Sequence, residues 1–349
     1  MTTLTVPARP EQDASLRPVP WRRMAWVTWR QHRFALAGVA ALLGALAVWL
    51  WLEGLHAHHA YAVAADCHPA SSGACGTLVG YFLTYVSTAQ TIAIVLQAVP
   101  ALIGAFVGAP VLAREMETGT FRYAWTQGFG QWRWTLAKLV PLAIAVAAAA
   151  GAFSVLFSWY YQPFLTQTLS FNFQVPLDSG LFDLRGVAFA AWTLAAFAIG
   201  ALAGMLIRRV VTALAATLAV YTGLALAAGL YLREHYLTPL LVKNANPPPS
   251  AWVISQQWYA KGGQPVSQSA LSQVLQGAPQ LAGGKGGGGI PQDDPTVNQY
   301  LAQHGYTLWT TYQPGSRFWP FQWIEGGWLL ALSVLLIAAT VWLVRRRAA

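Results

Sequence analysis

The stretch AREMETGTFRYAWTQGFGQWRWTLAK, Ala113 to Lys138, carries six charged residues in a 349-residue chain of which only 9% is charged. Long runs of Ala, Val, Leu, Ile and Phe flank it on both sides. It is too short to be a domain, and it reads as a polar turn between two membrane spans.

Working outward, the rest of the chain agrees. Hydrophobic residues make up 56% of it and the mean hydropathy is +0.43, too apolar for a soluble domain of this length. Runs of about 20 apolar residues are long enough to cross hydrocarbon. Six occur, at roughly 34–53, 89–112, 136–160, 186–207, 210–232 and 323–344. Lipid offers no partner to free backbone groups, so the spans are expected to be helices. The first follows 33 largely polar and basic residues and has no small-residue cleavage site close behind it, which reads as a retained span rather than a signal peptide. The expected fold is an all-α integral membrane protein: an N-terminal segment over 1–33, five spans over 34–232, an external segment over 233–322, and a last span with a basic tail over 323–349.

Lys and Arg set the expected orientation. Fifteen of the 21 fall in the N-terminal segment, in the opening stretch, at Arg208 and Arg209, and at Arg345, Arg346 and Arg347. All of these lie on one side of the six spans, in short segments. The positive-inside rule puts that side, with both termini, in the cytoplasm. The net charge of +9 then reflects attraction to anionic membrane lipid, and no motif supports a nucleic-acid partner.

Cys67 and Cys75, the only cysteines, fall together in the first external loop, ADCHPASSGACG. An oxidising exterior favours a disulfide between them; the other reading is two free thiols. The same loop carries His56, His58, His59, Asp66 and His68, whose spacing matches no zinc pattern, so no metal site is expected.

Several chemistries are missing. No ionisable side chain lies mid-span, where ion and proton pathways usually show one; Glu53, Arg185 and Glu325 sit at span ends. No phosphate loop is present: GGKGGGG at 283–289 lacks the Ser or Thr after Lys285 and reads as a linker. A nucleophile elbow and a HExxH are absent too, so the chain is not read as an enzyme. Gln90 and Gln97 in span two and Tyr221 in span five are the candidates for a substrate path. Two GxxxG patterns, Gly104–Gly108 and Gly200–Gly204, and the run AIAVAAAAGAF in span three offer close-packing faces, either within the chain or across a dimer.

Within the opening stretch, Phe121 and Trp125 at i and i+4 make one helical face aromatic. Thr118 or Thr120 can cap the start, Glu115 and Glu117 suit its positive dipole end, and Gly128 can stop it. A short amphipathic helix over about 115–128 is expected, lying on headgroups or in a groove of a partner. In the external segment, Pro295 and Gly305 punctuate one helix after Asp294, and VSQSALSQVLQG forms a second, together a small subdomain over the pore mouth. The tryptophans of SRFWPFQWIEGGW suit the headgroup belt, the other reading being ligand contact.

The pattern Arg114-Glu115-x-Glu117-x-Gly119-Thr120, followed by a turn, an aromatic and basic segment and Lys138, resembles the ABC-2 type permeases. More narrowly, MAWVTWRQHRFAL, AREMETGTFRYAWTQG, RWTLAKL and YQPGSRFWPFQWIEGG resemble an actinobacterial subfamily of them. The resemblance implies that the stretch is a coupling helix docking on a soluble ATPase subunit, with Arg114, Glu115, Glu117, Gly119, Thr120, Phe121 and Trp125 in that role. The plainer reading of Glu115 and Glu117 is helix capping, and both can hold at once. The resemblance also implies an interfacial helix within WRRMAWVTWRQHR before span one, a second permease copy or a paralogue as partner, and ATP with Mg bound only on the ATPase, leaving no cofactor in this chain. The implied function is export of a hydrophobic or amphiphilic substrate. The alternative is a non-transporting sensor or assembly partner that docks a cytoplasmic regulator through the same helix.

Overall fold

The structure, a computed structural model, describes residues 21–69, 72–119, 131–165, 175–276 and 295–347. Six of its helical stretches are long and apolar enough to cross a membrane: Ala37–Ala65, Gly73–Thr118, Gln131–Leu165, Gly186–Ile207, Val210–His235 and Gly315–Arg346. The protein is a helical, multi-pass membrane protein.

Helix α1 (Trp21–Ala65) runs 45 residues without a break, about 68 Å at 1.5 Å per residue. The expected separate interfacial helix is therefore continuous with span one. Nothing between Trp21 and Ala37 is Gly or Pro, so nothing stops the hydrogen-bond ladder. The far end corrects a second expectation, since His56, His58 and His59 lie on this helix rather than in a loop. His58 stacks on Trp159 with ring centroids 4.8 Å apart. After α1, Cys67 and Cys75 form a disulfide, Cα to Cα 5.6 Å, and Ser72 caps the next helix by accepting from the Cys75 N–H at 3.2 Å.

Span two is built in pieces: α2 (Gly73–Leu96), α3 (Ala98–Ile103), a π-turn (Gly104–Gly108) and α4 (Ala109–Thr118). Pro100 and Pro110 lack an N–H to donate, and the ladder shifts register between them. Span three is α5 (Gln131–Leu165); a short α6 (Ser179–Phe182) leads into span four, α7 (Gly186–Ile207). Span five is α8 (Val210–Ala227) with a π-turn (Ala228–Leu232) and a 3-10 turn (Arg233–His235).

Span four is the hub. In its most apolar window 67% of residues are buried, against 17% in spans one and five. Lipid tails are as apolar as Leu, so close approach rather than water exclusion selects helix partners here. A Cβ on Gly200 would sit 2.2 Å from the Gly104 carbonyl oxygen, and one on Gly204 2.4 Å from that of Ala109. The two GxxxG patterns thus face each other across spans two and four of one chain. On the other flank, Phe153, Phe157, Tyr160, Tyr161 and Phe164 of α5 form an aromatic core with Phe82 and Phe189.

Beyond span five the segment is not purely helical, as the sequence reading had it. Strands β1 (Leu240–Lys243), β2 (Trp252–Tyr259) and β3 (Thr307–Gln313) form an antiparallel sheet in the order β1-β3-β2. Helices α9 (Gln268–Gln276) and α10 (Pro295–Gln303) cover it and share a small core of Trp258, Leu271, Leu275, Val297, Leu301 and Leu308. The strands are rich in Trp, Val, Ile, Thr and Tyr, residues that fit a pleated, half-buried surface. A 3-10 turn (Gly315–Arg317) then leads into α11 (Phe318–Arg347), the sixth span.

Candidate functional site

At the arginine-rich end, α4 closes on Gly119, whose left-handed φ of +71° a Cβ would strain. Just before it, the two glutamates point to different neighbours. The Glu115 carboxylate pairs with Lys138 at the start of span three. Lys138 is 4% exposed and its Nζ also lies 4.2 Å from the Trp134 ring centroid. Glu117 accepts through Oε2 from the backbone N–H of Val210 at 3.2 Å. Val210 is the first residue of α8, so this carboxylate satisfies an orphan donor at the positive end of span five.

The turn that presents Val210 is itself constrained. Arg208 closes α7 in a left-handed conformation at φ 59°, and its N–H returns to the Gly204 carbonyl at 3.1 Å. Thr118 donates back to the Arg114 carbonyl at 2.9 Å, and Arg114 itself is exposed. One turn of α4 therefore ties the ends of spans two, three and five together. The sequence reading put Glu115 and Glu117 at the start of a helix; both lie instead in the last turn of α4, and Glu117 meets the first N–H of a different span, 93 residues away. Thr120, Phe121, Arg122, Trp125 and Gly128 lie outside the described residues.

At the opposite end the structure assembles a charged cluster that the sequence reading did not find. Arg233 and Glu325 are both 0% exposed. The guanidinium grips the carboxylate with two N–H groups, Nε to Oε2 at 3.1 Å and Nη2 to Oε1 at 2.8 Å, and Nη2 also pairs with Asp183. Glu325 accepts two further bonds, from Trp192 Nε1 at 2.7 Å and the Tyr236 hydroxyl at 3.1 Å. Trp328 Nε1 donates to Tyr236 at 2.9 Å, and the Phe182 ring lies 4.4 Å from the Arg233 guanidinium carbon. With two carboxylates on one cation, burial and then the Glu325 charge, against the pull of Arg233, push the Asp183 carboxyl from 3.8 up to about 7. Each member sits near a span end, and of the three only Glu325 stood out in the sequence, without a partner. The one usable signal was that three charges share the same end of successive spans.

The substrate-path candidates separate. Gln90 is exposed on α2, on a helix whose exposed Thr84, Ser87, Thr88 and Thr91 hydroxyls all donate to backbone carbonyls three or four residues earlier. Gln97 is partly exposed and makes a long contact, 3.5 Å, to the Ser179 carbonyl. Tyr221 is 7% exposed and packs edge-on against Trp192, centroids 5.6 Å apart; it is a packing residue here. Among the described residues no group of three His, Cys, Asp or Glu could hold a metal ion.

The family model described as ABC-2 membrane transporter related matches residues 40–233, more than half of the chain. That range runs from span one through the 3-10 turn carrying Arg233. Comparisons with curated proteins and with solved structures found no match.

Proposed function

The chain belongs to the ABC-2 membrane transporter related family, and from that premise we propose that this permease is the membrane subunit of an ATP-driven exporter of hydrophobic or amphiphilic compounds. Its ATPase is a separate soluble subunit, and a second permease copy or a paralogue completes the pore. The arginine-rich end faces the cytoplasm, which puts the Cys67–Cys75 bridge on the oxidising side.

One observation carries the reading: Glu115 and Glu117 sit immediately before the 120–130 segment and lead to spans three and five. A push on that segment by an ATPase would reach both spans through two charged contacts. Gly119 stops the helix at that point, so the segment can change direction without unwinding α4. The hydroxyl row of α2 and Gln90 support a path along span two, because each hydroxyl keeps acceptor lone pairs after its backbone bond.

The test is a mild-detergent pull-down of the tagged permease from its native membrane. Wild type is expected to bring down a soluble ATPase, and a Glu117→Arg, Phe121→Asp double variant to lose it. Lys138→Met separates transmission from docking: the ATPase should still co-purify, while its hydrolysis stops responding to the permease. If no ATPase appears with wild type and a regulator takes its place, the protein is a docking partner and not an exporter subunit.

A further inference from the structure

A groove of about 650 Å³ runs between spans one and three at the arginine-rich end. One wall is α1, with Trp29, Arg33, Phe34, Ala37, Val39 and Leu43 among its lining residues. The floor is the small-residue face of α5, Ala145, Val146 and Ala149, closed by Ile103 from span two. The Ala-rich run that reads as a helix-packing face therefore leaves a trough along part of its length. Ala145 and Ala149 are exposed.

The groove is apolar along its length and cationic at its mouth. Arg33 lines it, and Arg30 is exposed one turn earlier on the same helix. Each guanidinium lies over a neighbouring ring, Arg33 4.7 Å from the Phe34 centroid and Arg30 5.4 Å from that of Trp26. Trp26 and Trp29 are 58% and 59% exposed, as belt residues at headgroup depth are. An apolar slot in the hydrocarbon that ends in arginines beneath a tryptophan belt has the shape and charge of an amphiphile with one anionic head.

We propose that this groove binds one anionic phospholipid of the leaflet at that end, its acyl chain along Ala145 and Ala149 and its phosphate at Arg33. Basic pockets between spans on that side of a membrane hold anionic headgroups. A second copy of the chain fits worse, because two such faces would set Arg30 and Arg33 against their own likenesses without a counter-charge. The lipid would wedge span one against span three, steadying the helix that precedes the span-two motif.

The test uses the full-length protein in detergent, supplemented with phosphatidylglycerol, with phosphatidylcholine of the same chains, or with inorganic phosphate. Native mass spectrometry reads the retained lipid and thermal unfolding reads its effect. Wild type should keep one phosphatidylglycerol in preference to phosphatidylcholine and unfold at a higher temperature with it. Arg33→Gln, an exposed position that leaves packing intact, should weaken that retention about fivefold, the worth of one cation near anionic lipid, and Arg33→Lys should restore it. Ala149→Phe, which fills the trough, should abolish retention of both lipids, while Val334→Phe on the exposed face of α11 should not. Equal retention of the two lipids, no effect of Arg33→Gln, or displacement by inorganic phosphate would each overturn the assignment. So would a change of oligomeric state in Ala149→Phe with lipid retention unaltered, which would mark the face as an interface between copies.

Discussion

At the scale of single residues, the Arg233 cluster has the clearest energetic consequence. A buried ion pair contributes little over a well-packed apolar replacement, but stranding one partner costs about 3–5 kcal/mol. Arg233→Met leaves Glu325, 0% exposed, with only the Trp192 and Tyr236 donors. It should destabilise the protein by that amount, read as a fall in thermal unfolding temperature in detergent. The Arg233→Met, Glu325→Leu double variant should recover much of the loss, and a double variant no better than the single would sink this account. Asp183 makes a second, signed prediction. Its carboxyl ionises near 3.8 in the unfolded chain and near 7 in the fold, so between those values the folded state holds the extra proton. The stability this group adds is then full at low pH and lost as pH rises toward 7. Wild type should lose ground to Asp183→Asn over that window, and parallel pH curves for the two proteins would refute it.

At the scale of elements, the seam between spans two and four decides the frame. Gly104, Gly108, Gly200 and Gly204 let two backbones meet with almost no side chain between them. At Gly200 the obstruction is backbone, the Gly104 carbonyl and the Ala109 nitrogen, so no rotamer change can relieve a Cβ there. Gly200→Ala should cost about 1–3 kcal/mol by overpacking, and Gly200→Leu should separate the two spans. Gly44, with nothing within 4 Å of an added Cβ, is the matched control for Gly→Ala, since both lie inside helices. Cross-linking of cysteine pairs across the seam reads the separation; equal behaviour at positions 200 and 44 would mean that the close approach is not what holds the spans. The π-turn Gly104–Gly108 is the span-two side of this seam, so the part of span two that leads to the Glu115 and Glu117 ties is anchored just before them.

Whole-molecule organisation was legible in the sequence where it depends on composition and illegible where it depends on distant partners. Six spans follow from apolar length alone, which is why their number survives while their ends move: Ala-rich or Gly- and Pro-free flanks such as 54–65 and 21–36 continue a helix past the apolar core. The sheet was missed because β1 pairs with β3 across some seventy residues, Leu240 with Tyr312, and no local period announces that partner. The Arg233 cluster was missed for the same reason, its members lying 50 and 92 residues apart. Of the candidate site, the acidic motif was visible but its internal partners were not. That same long-range pairing carries a last prediction. Leu240 and Tyr312 are opposed residues, so the ends of the segment between them lie about 5 Å apart. Gln313, 0% exposed, donates to the Leu237 and Glu234 carbonyls at 2.7 and 3.2 Å, and Arg317 to that of Thr238 at 2.7 Å, fastening the base of the segment to the end of span five. The segment is thus an insertion with adjacent ends and its own core, Trp258 to Leu308. Replacing 240–312 with two or three glycines and serines should leave a monodisperse protein that keeps the Cys67–Cys75 bridge and the pH response of Asp183. Size-exclusion chromatography and thermal unfolding across pH read both properties. An aggregated product, or one that keeps its spans but loses the Asp183 response, would show that the sheet braces the outer ends of spans four to six, and is no separable insertion.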